Sequence, residues 1–287
     1  MRALLVLVAV TAVWGVTFVQ VKDAVALYPL FAFLAVRFAI ASLALAPAGL
    51  RRVGSLGRSG VVAGAIAGSL LGGGYALQTA GLERTSVSST GFITGMYVVL
   101  TPLLALALFR VRIGATAWVG VTLATIGLGL LSGIHGGSPL GDLLVLAGAA
   151  VYSLQIVLME GYAPRYDPIA FTLVEMLTSF AGLLAIAVAL GQLRVPHGWT
   201  VWAALLVTGV FASALAFLAQ TWAQRRATAT QTALAFSLEP VWTAFFGYTL
   251  AGDRLGIAGW TGCAVIMAGI LIAEPAAAGA LARRVRR

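Results

Sequence analysis

Hydrophobic residues run along the chain in long blocks, divided by short segments that hold most of the Arg, Pro and Asp. A helix rises 1.5 Å per residue, so about 20 apolar residues cross a hydrocarbon layer of about 30 Å. Ten blocks have that length, roughly 3–21, 29–49, 60–82, 86–109, 114–133, 140–160, 168–190, 198–222, 227–251 and 256–273. The pattern predicts an all-α integral membrane protein of ten transmembrane helices. Connectors this short leave no room for a soluble domain and make neighbouring helices antiparallel. The first block, with Arg2 before it and Ala24-Val25-Ala26 behind, also has the outline of a cleaved leader. Its apolar run exceeds the roughly 7–15 residues of a leader core, and it carries Trp14 and Gln20, so a retained helix is expected.

Composition agrees with the pattern. Of 287 residues 61% are hydrophobic and 9% charged, against about a quarter charged in an ordinary soluble domain. Disorder is excluded by the same figures, and the single Cys263 cannot form an internal disulfide. An excess of 18 basic over 9 acidic residues invites a nucleic-acid reading, but no aromatic-and-basic motif accompanies it. Topology explains it better, because cytoplasmic loops are enriched in Lys and Arg. With the N-terminus inside, Arg2, Arg51, Arg52, Arg58, Arg110, Arg112, Arg165, Arg225, Arg226, Arg283, Arg284, Arg286 and Arg287 fall on the cytoplasmic side. Lys22, Arg84, Arg194 and Arg254 fall outside. Both termini are therefore expected in the cytoplasm, with 276–287 a basic tail at the lipid headgroups. The preference for Arg over Lys, with abundant Ala and Gly, fits a GC-rich bacterial genome and hence a bacterial cytoplasmic (inner) membrane.

Shifting the chain by 142 residues brings Gln78-Thr79 onto Gln220-Thr221, Arg84 onto Arg226, Thr90 onto Thr232, Val99 onto Val241 and Thr101 onto Thr243. The match continues without a gap through Leu108 and Leu250, Arg112 and Arg254, Gly114 and Gly256, Trp118 and Trp260, Gly120 and Gly262, and Gly127 and Gly269. Twelve identities in 53 positions exceed what this composition produces by chance. The expected organisation is a first five-helix repeat at 1–135, a second at 136–275 and the tail. An odd number of crossings makes the second repeat enter the membrane from the opposite side, so the halves are inverted. Such symmetry permits two near-equivalent states with a site between the halves, which is the physical case for a transporter.

Ser237-Leu238-Glu239-Pro240-Val241, Phe245-Phe246-Gly247, Gly252-Asp253-Arg254-Leu255, Gly259-Trp260 and Gly262 resemble the second-repeat signature of EamA-type carriers in the drug/metabolite transporter superfamily. Trp14-Gly15, Thr17-Phe18, Arg37-Phe38, Thr90-Gly91-Phe92-Ile93 and Pro102 stand where that family has comparable first-repeat residues, and Gly141-Asp142-Leu143 opens the second repeat. The resemblance covers almost the whole chain and is greatest to bacterial exporters of amino acids, the aromatic ones included. Asp253 before Arg254 has Val111 as its first-repeat counterpart, so no shared acid-arginine gate is implied.

Polar residues inside spans need a partner or a water-filled cavity and so mark a pathway. Tyr75, Gln78 and Thr79 share one face of the third span, and Phe217, Gln220, Thr221 and Gln224 share one of the eighth. Trp14, Thr17 and Phe18 on the first span, Phe92, Met96 and Tyr97 on the fourth, Tyr152 and Gln155 on the sixth, and Phe236, Glu239 and Trp242 on the ninth complete a candidate ring. The plainer reading is that such residues bridge helices. Arg37 and Glu175, at similar depth from opposite surfaces, are expected to have gating or structural roles, as are Pro102 and Pro240, whose rings are expected to kink two moving helices. Glu239 is also a candidate proton site. Glycines at 60, 64, 68 and 72, and at 91 and 95, predict close helix contact.

An aromatic, nearly uncharged cavity suits an amino acid with an apolar side chain, exported by alternating access. A multidrug efflux carrier is the alternative within the same class. An intramembrane enzyme is disfavoured, since HExxH, a serine nucleophile elbow and an acidic pair are all missing and His135 and His197 map to external loops. No cofactor or metal is expected. Gly72-Gly73-Gly74 lacks the Gly-Lys-Ser/Thr of a phosphate loop. The expected partners are a small-molecule substrate and the lipid bilayer, and the sequence leaves the oligomeric state open.

Overall fold

The computed structural model of the chain describes residues 2–85, 87–110, 113–132, 138–250 and 256–284. These residues form helices and short connectors, with no strand among them. In chain order the first half holds α1 (Arg2–Leu27), α2 (Leu30–Gly49), a 3₁₀ turn (Leu50–Leu56), α3 (Gly57–Leu82), α4 (Val87–Gly95), α5 (Tyr97–Phe109) and α6 (Ala115–Ser132). The second half holds α7 (Pro139–Tyr162), α8 (Pro168–Ala189), α9 (Trp199–Leu206), a π-helical segment (Val207–Leu215), α10 (Ala216–Gln224), α11 (Ala229–Phe236), α12 (Glu239–Leu250) and α13 (Ile257–Arg284). Arg112, Arg254, Val111, Asp253, His135, Arg286 and Arg287 lie outside the described residues.

Six helical stretches among the described residues are long and apolar enough to cross a membrane: Arg2–Leu27, Leu30–Leu82, Thr90–Phe109, Pro139–Tyr162, Pro168–Ala189 and Trp199–Gln224. One of them, Leu30–Leu82, contains both α2 and α3. Ala115–Leu130 and Ile257–Ile272 are shorter apolar helices. Large side chains such as Leu5, Leu43, Leu103, Ile126, Leu143 and Val188 are exposed on the outside of the bundle. That arrangement is stable where the surrounding solvent is itself apolar, as in a multi-pass membrane protein.

Local chemistry fixes several starts. Asp167 Oδ1 accepts from the backbone N–H of Ile169 and Ala170 with Pro168 as the first residue of α8, where a missing N–H costs nothing. Ser138 and Pro139 open α7 in the same way, and Thr228 with Gln231 forms a capping box on α11. Each of the two helix breaks lies N-terminal to one of the two prolines expected to kink the chain. The first break is at Met96, between α4 and α5, while Pro102 lies inside α5. The second is at Ser237-Leu238, directly before Pro240 in the first turn of α12; proline offers no N–H to the Phe236 carbonyl, which accepts from the Tyr97 hydroxyl instead. Met96 and Leu238 stand 142 residues apart, so the breaks are equivalent in the repeat register.

Packing has the same register. A Cβ built on Gly127 of α6 would lie 2.7 Å from the carbonyl oxygen of Gly262 in α13, and one on Gly269 of α13 would lie 2.7 Å from that of Gly120 in α6. Both glycine pairs are related by the 142-residue shift, so this crossing is self-complementary. Gly64, Gly68 and Gly72 of α3 meet Val174, Glu175 and Ser179 of α8, as expected of the glycine ladder; Gly91 faces open space instead.

The two ends of α7 locate the charged connectors. At its start, Thr85 Oγ1 donates to Asp142 Oδ1 (2.7 Å), and Lys22 Nζ reaches the Thr85 carbonyl (3.3 Å). At its far end, Glu160 Oε2 accepts from the Ala229 N–H (2.8 Å). These points are about 27 Å apart along the helix. Arg84 and Arg226, beside Thr85 and Ala229, therefore sit at opposite ends of the bundle. Arg52, paired with Asp167 at 3.4 Å, lies at the Arg226 end.

The α6–α13 crossing is expected to tolerate no side chain. Gly127→Leu and Gly269→Leu should each lower the unfolding midpoint of the purified protein in detergent, at a cost of about 1–3 kcal/mol. Gly73→Ala, with nothing within 4 Å of its Cβ, should leave the midpoint unchanged or higher. Equal midpoints for all three would contradict this packing.

Candidate functional site

Polar side chains collect around one cavity in the interior, which spans about 680 Å³ of empty space with the open solvent at its mouth included. α1 contributes Trp14, Thr17, Phe18 and Val21, and α3 contributes Tyr75, Gln78, Thr79 and Leu82. Arg37 enters from α2, Thr94 from α4 and Tyr97 from α5. The second half supplies Tyr152, Gln155 and Ile156 from α7, Phe217 and Gln220 from α10, Phe236 from α11 and Glu239 from α12. Five pairs in this lining stand 142 residues apart: Trp14 and Ile156, Tyr75 and Phe217, Gln78 and Gln220, Thr94 and Phe236, Tyr97 and Glu239.

Aromatic rings form a continuous wall. Trp14 lies 4.8 Å from Phe236 and 5.5 Å from Phe217 between centroids; Tyr75 lies 6.2 Å from Phe217 and 5.5 Å from Tyr152. Most of these contacts are edge-on, the arrangement that ring quadrupoles favour. Trp14 Nε1 donates to the Ala212 carbonyl in the π-helical segment at 2.9 Å. π-helical turns are rare and cluster at functional positions.

Hydrogen bonds tie the amides to one another. Gln78 Nε2 donates to Thr94 Oγ1 (2.9 Å), and Gln78 Oε1 accepts from the Tyr152 hydroxyl (3.2 Å). Gln220 Nε2 donates to Gln155 Oε1 (3.1 Å) and to Gln224 Oε1 (2.9 Å), while Gln155 Nε2 donates to Glu175 Oε1 (2.8 Å). The buried Gln220 Oε1 and Glu175 Oε2 have no partner among the described residues. The Tyr97 hydroxyl donates to the Phe236 carbonyl (2.7 Å) and to Glu239 Oε2 (3.2 Å), closing the wall between α5, α11 and α12.

Arg37 is 3% exposed. Its Nε donates to Ser213 Oγ (2.8 Å), and one terminal nitrogen donates to the Tyr75 hydroxyl (3.0 Å) and the Ala212 carbonyl (3.4 Å). The guanidinium carbon sits 4.4 Å from the Tyr75 ring centroid. All of these partners are neutral.

Five residues of the expected ring lie off the cavity, among them Gln224, whose Nε2 donates to the Ile156 carbonyl. Thr221 turns toward α8 and shares a hydrogen bond with Thr172 (3.0 Å). Phe92 and Trp242 pack into the cluster of Val98, Val121, Leu128 and Ile266, and Met96 occupies the α4–α5 break. A helix inside a bundle packs on more than one face, so helical spacing alone does not say which face meets the cavity. Glu175 lies behind the lining, reached through Gln155, and Pro102 and Pro240 do not line it. Conversely, Val21, Leu82, Thr94, Ile156 and Arg37 line the cavity although periodicity did not place them there. The 142-residue shift finds two of these, since Thr94 and Ile156 are the counterparts of Phe236 and Trp14.

Comparison with known proteins agrees with this architecture. The EamA-like transporter family matches residues 1–133 and, separately, 139–273. An uncharacterized transporter of Archaeoglobus fulgidus is 32% identical over 268 residues, covering 93% of this chain and 83% of that protein. A solved crystal structure covers 100% of this chain and 99% of its own with a TM-score of 0.79 at 19% identity, which shows the fold. With matches over both halves, the chain belongs to the EamA-like transporter family and is a multi-pass membrane transporter.

Proposed function

We propose that this transporter exports small metabolites, amino acids with aromatic or apolar side chains among them, across a bacterial cytoplasmic membrane by alternating access. The chain crosses ten times as two inverted five-helix repeats, with α4–α5, α9–α10 and α11–α12 each forming one interrupted crossing and both termini in the cytoplasm. The observation that carries this reading is the cavity, built from both halves by five residue pairs in a single register. Separate family matches to the two halves, the self-complementary α6–α13 crossing and the opposite ends held by Arg84 and Arg226 support it.

Departures from symmetry support the alternating part. Thr17, Phe18, Val21, Thr79 and Leu82 extend the lining toward the Arg84 end. Their counterparts Met159, Glu160, Ala163, Thr221 and Gln224 do not line the cavity. Instead Thr221 bonds Thr172, Gln224 Nε2 donates to the Ile156 carbonyl (2.9 Å) and Glu160 holds Ala229. In this reading one gate is open and its twin is packed shut, and exchanging the two arrangements opens the other side. The outward direction of transport rests on the likeness of the sequence to exporters. Stacking rings and hydrogen-bonding amides suit an amino acid.

Proteoliposomes holding only this protein and preloaded with L-phenylalanine should accumulate labelled L-phenylalanine by counterflow. Gln78→Ala and Gln220→Ala should insert normally and lower that flux about fivefold each, the equivalent of one hydrogen bond of about 1 kcal/mol. Flux no greater than in empty liposomes, across a panel of amino acids, would overturn the proposal.

A further inference from the structure

Two opposite charges line the cavity without meeting. No nitrogen of Arg37 comes within 4.0 Å of a carboxylate oxygen among the described residues, Glu239 included. Glu239 is 7% exposed, and among the described residues its side chain takes one hydrogen bond, from the Tyr97 hydroxyl to Oε2. Among the described residues, Oε1 of Glu239 takes no donor and Nη1 of Arg37 gives to no acceptor. A buried guanidinium with only neutral partners has been taken out of water without the opposite charge that offsets the loss. Such a group inside a span is a functional site by default.

The intervening wall is aromatic and continuous. Ala212, which accepts from Arg37, also accepts from the Trp14 indole; Trp14 packs on Phe236, whose carbonyl accepts from the same Tyr97 hydroxyl that reaches Glu239. Arg37 and Glu239 thus flank one apolar face from two sides. A ligand that satisfies all three features carries a carboxylate, an ammonium and an apolar side chain.

We propose that Arg37 and Glu239 are the two poles of a zwitterion site, Arg37 taking the carboxylate and Glu239 the ammonium of an α-amino acid whose side chain lies on Trp14 and Phe236. Charge-assisted hydrogen bonds of this kind are stronger and shorter than those the glutamines can make. This assignment rests on the amino-acid reading above and deepens it, because it makes both charged groups of the substrate, rather than its side chain alone, the basis of selection. A purely structural Arg37, bracing α2 against α3 and the π-helical segment, would be indifferent to the ligand's carboxylate.

The test is ligand-dependent thermal stabilisation of the full-length protein in detergent with L-phenylalanine, L-phenylalaninamide and 3-phenylpropionate. Wild type should bind phenylalanine at least about tenfold more tightly than either analogue. Arg37→Gln should abolish the preference for acid over amide, Arg37→Lys should retain part of it, and Glu239→Gln should abolish the preference for phenylalanine over 3-phenylpropionate. Equal binding of acid and amide by wild type overturns the assignment without needing any variant to fold, and so does a folded Arg37→Gln protein that still discriminates. Amino-acid flux in liposomes without acid-over-amide selection would remove the zwitterion site and leave the transport reading standing. Arg37-dependent binding of 3-phenylpropionate, with no amino-acid flux or phenylalanine binding, would remove the amino-acid reading and the Glu239 pole while leaving the carboxylate pole.

Discussion

A helix in hydrocarbon has no water on which to discharge a polar side chain, so each such group must meet another helix or a shared cavity. That restriction organises this protein. Leu, Ile and Val cover the outside, glycines bring α3 against α8 and α6 against α13, and Arg37, Gln78, Gln155, Gln220 and Glu239 converge on one interior space. Because the hydrophobic effect supplies little force between helices once they are in lipid, close backbone approach and interhelical hydrogen bonds hold the bundle. The glycine crossings and the Gln220–Gln155–Glu175 chain are those two kinds of contact.

One register of 142 residues connects levels that are otherwise independent. It relates the glycines of a helix crossing, two helix breaks and five pairs of cavity residues. In the inverted-repeat reading this follows from duplication, since each local solution to the packing problem is used twice. Differences between equivalent positions then acquire a meaning. Tyr97 and Glu239 occupy equivalent places, yet one donates to the other, and Gln78 bonds across to α4 and α7 while Gln220 bonds to Gln155 and Gln224. The 142-residue register thus relates positions whose side chains make different hydrogen bonds.

Apolar length made the helical membrane architecture legible, and the spacing of Tyr75, Gln78 and Thr79 identified a face that does line the cavity. Rotation about a helix axis was harder to read. Thr221 follows Gln220 in sequence but bonds Thr172 on α8, because α10 packs against that helix as well as facing the cavity. Proline marked one break more closely than the other: the chain is interrupted just before Pro240, which gives no N–H to the Phe236 carbonyl, whereas Pro102 lies inside α5 and the first break falls earlier, at Met96. Arg37 was visible as a costly charge, but its membership of the lining depends on Ser213, Ala212 and Tyr75, which lie far from it in sequence.

The most direct test of the central claim, that the two halves are inverted about a shared cavity, is the sidedness of Arg84 and Arg226 in a living membrane. Single cysteines at these positions, in a Cys263→Ala background, are labelled with a membrane-impermeant maleimide in intact and in permeabilised cells. With inverted halves, Arg84→Cys reacts in intact cells and Arg226→Cys only after permeabilisation. Labelling of both from the same side would contradict the inversion.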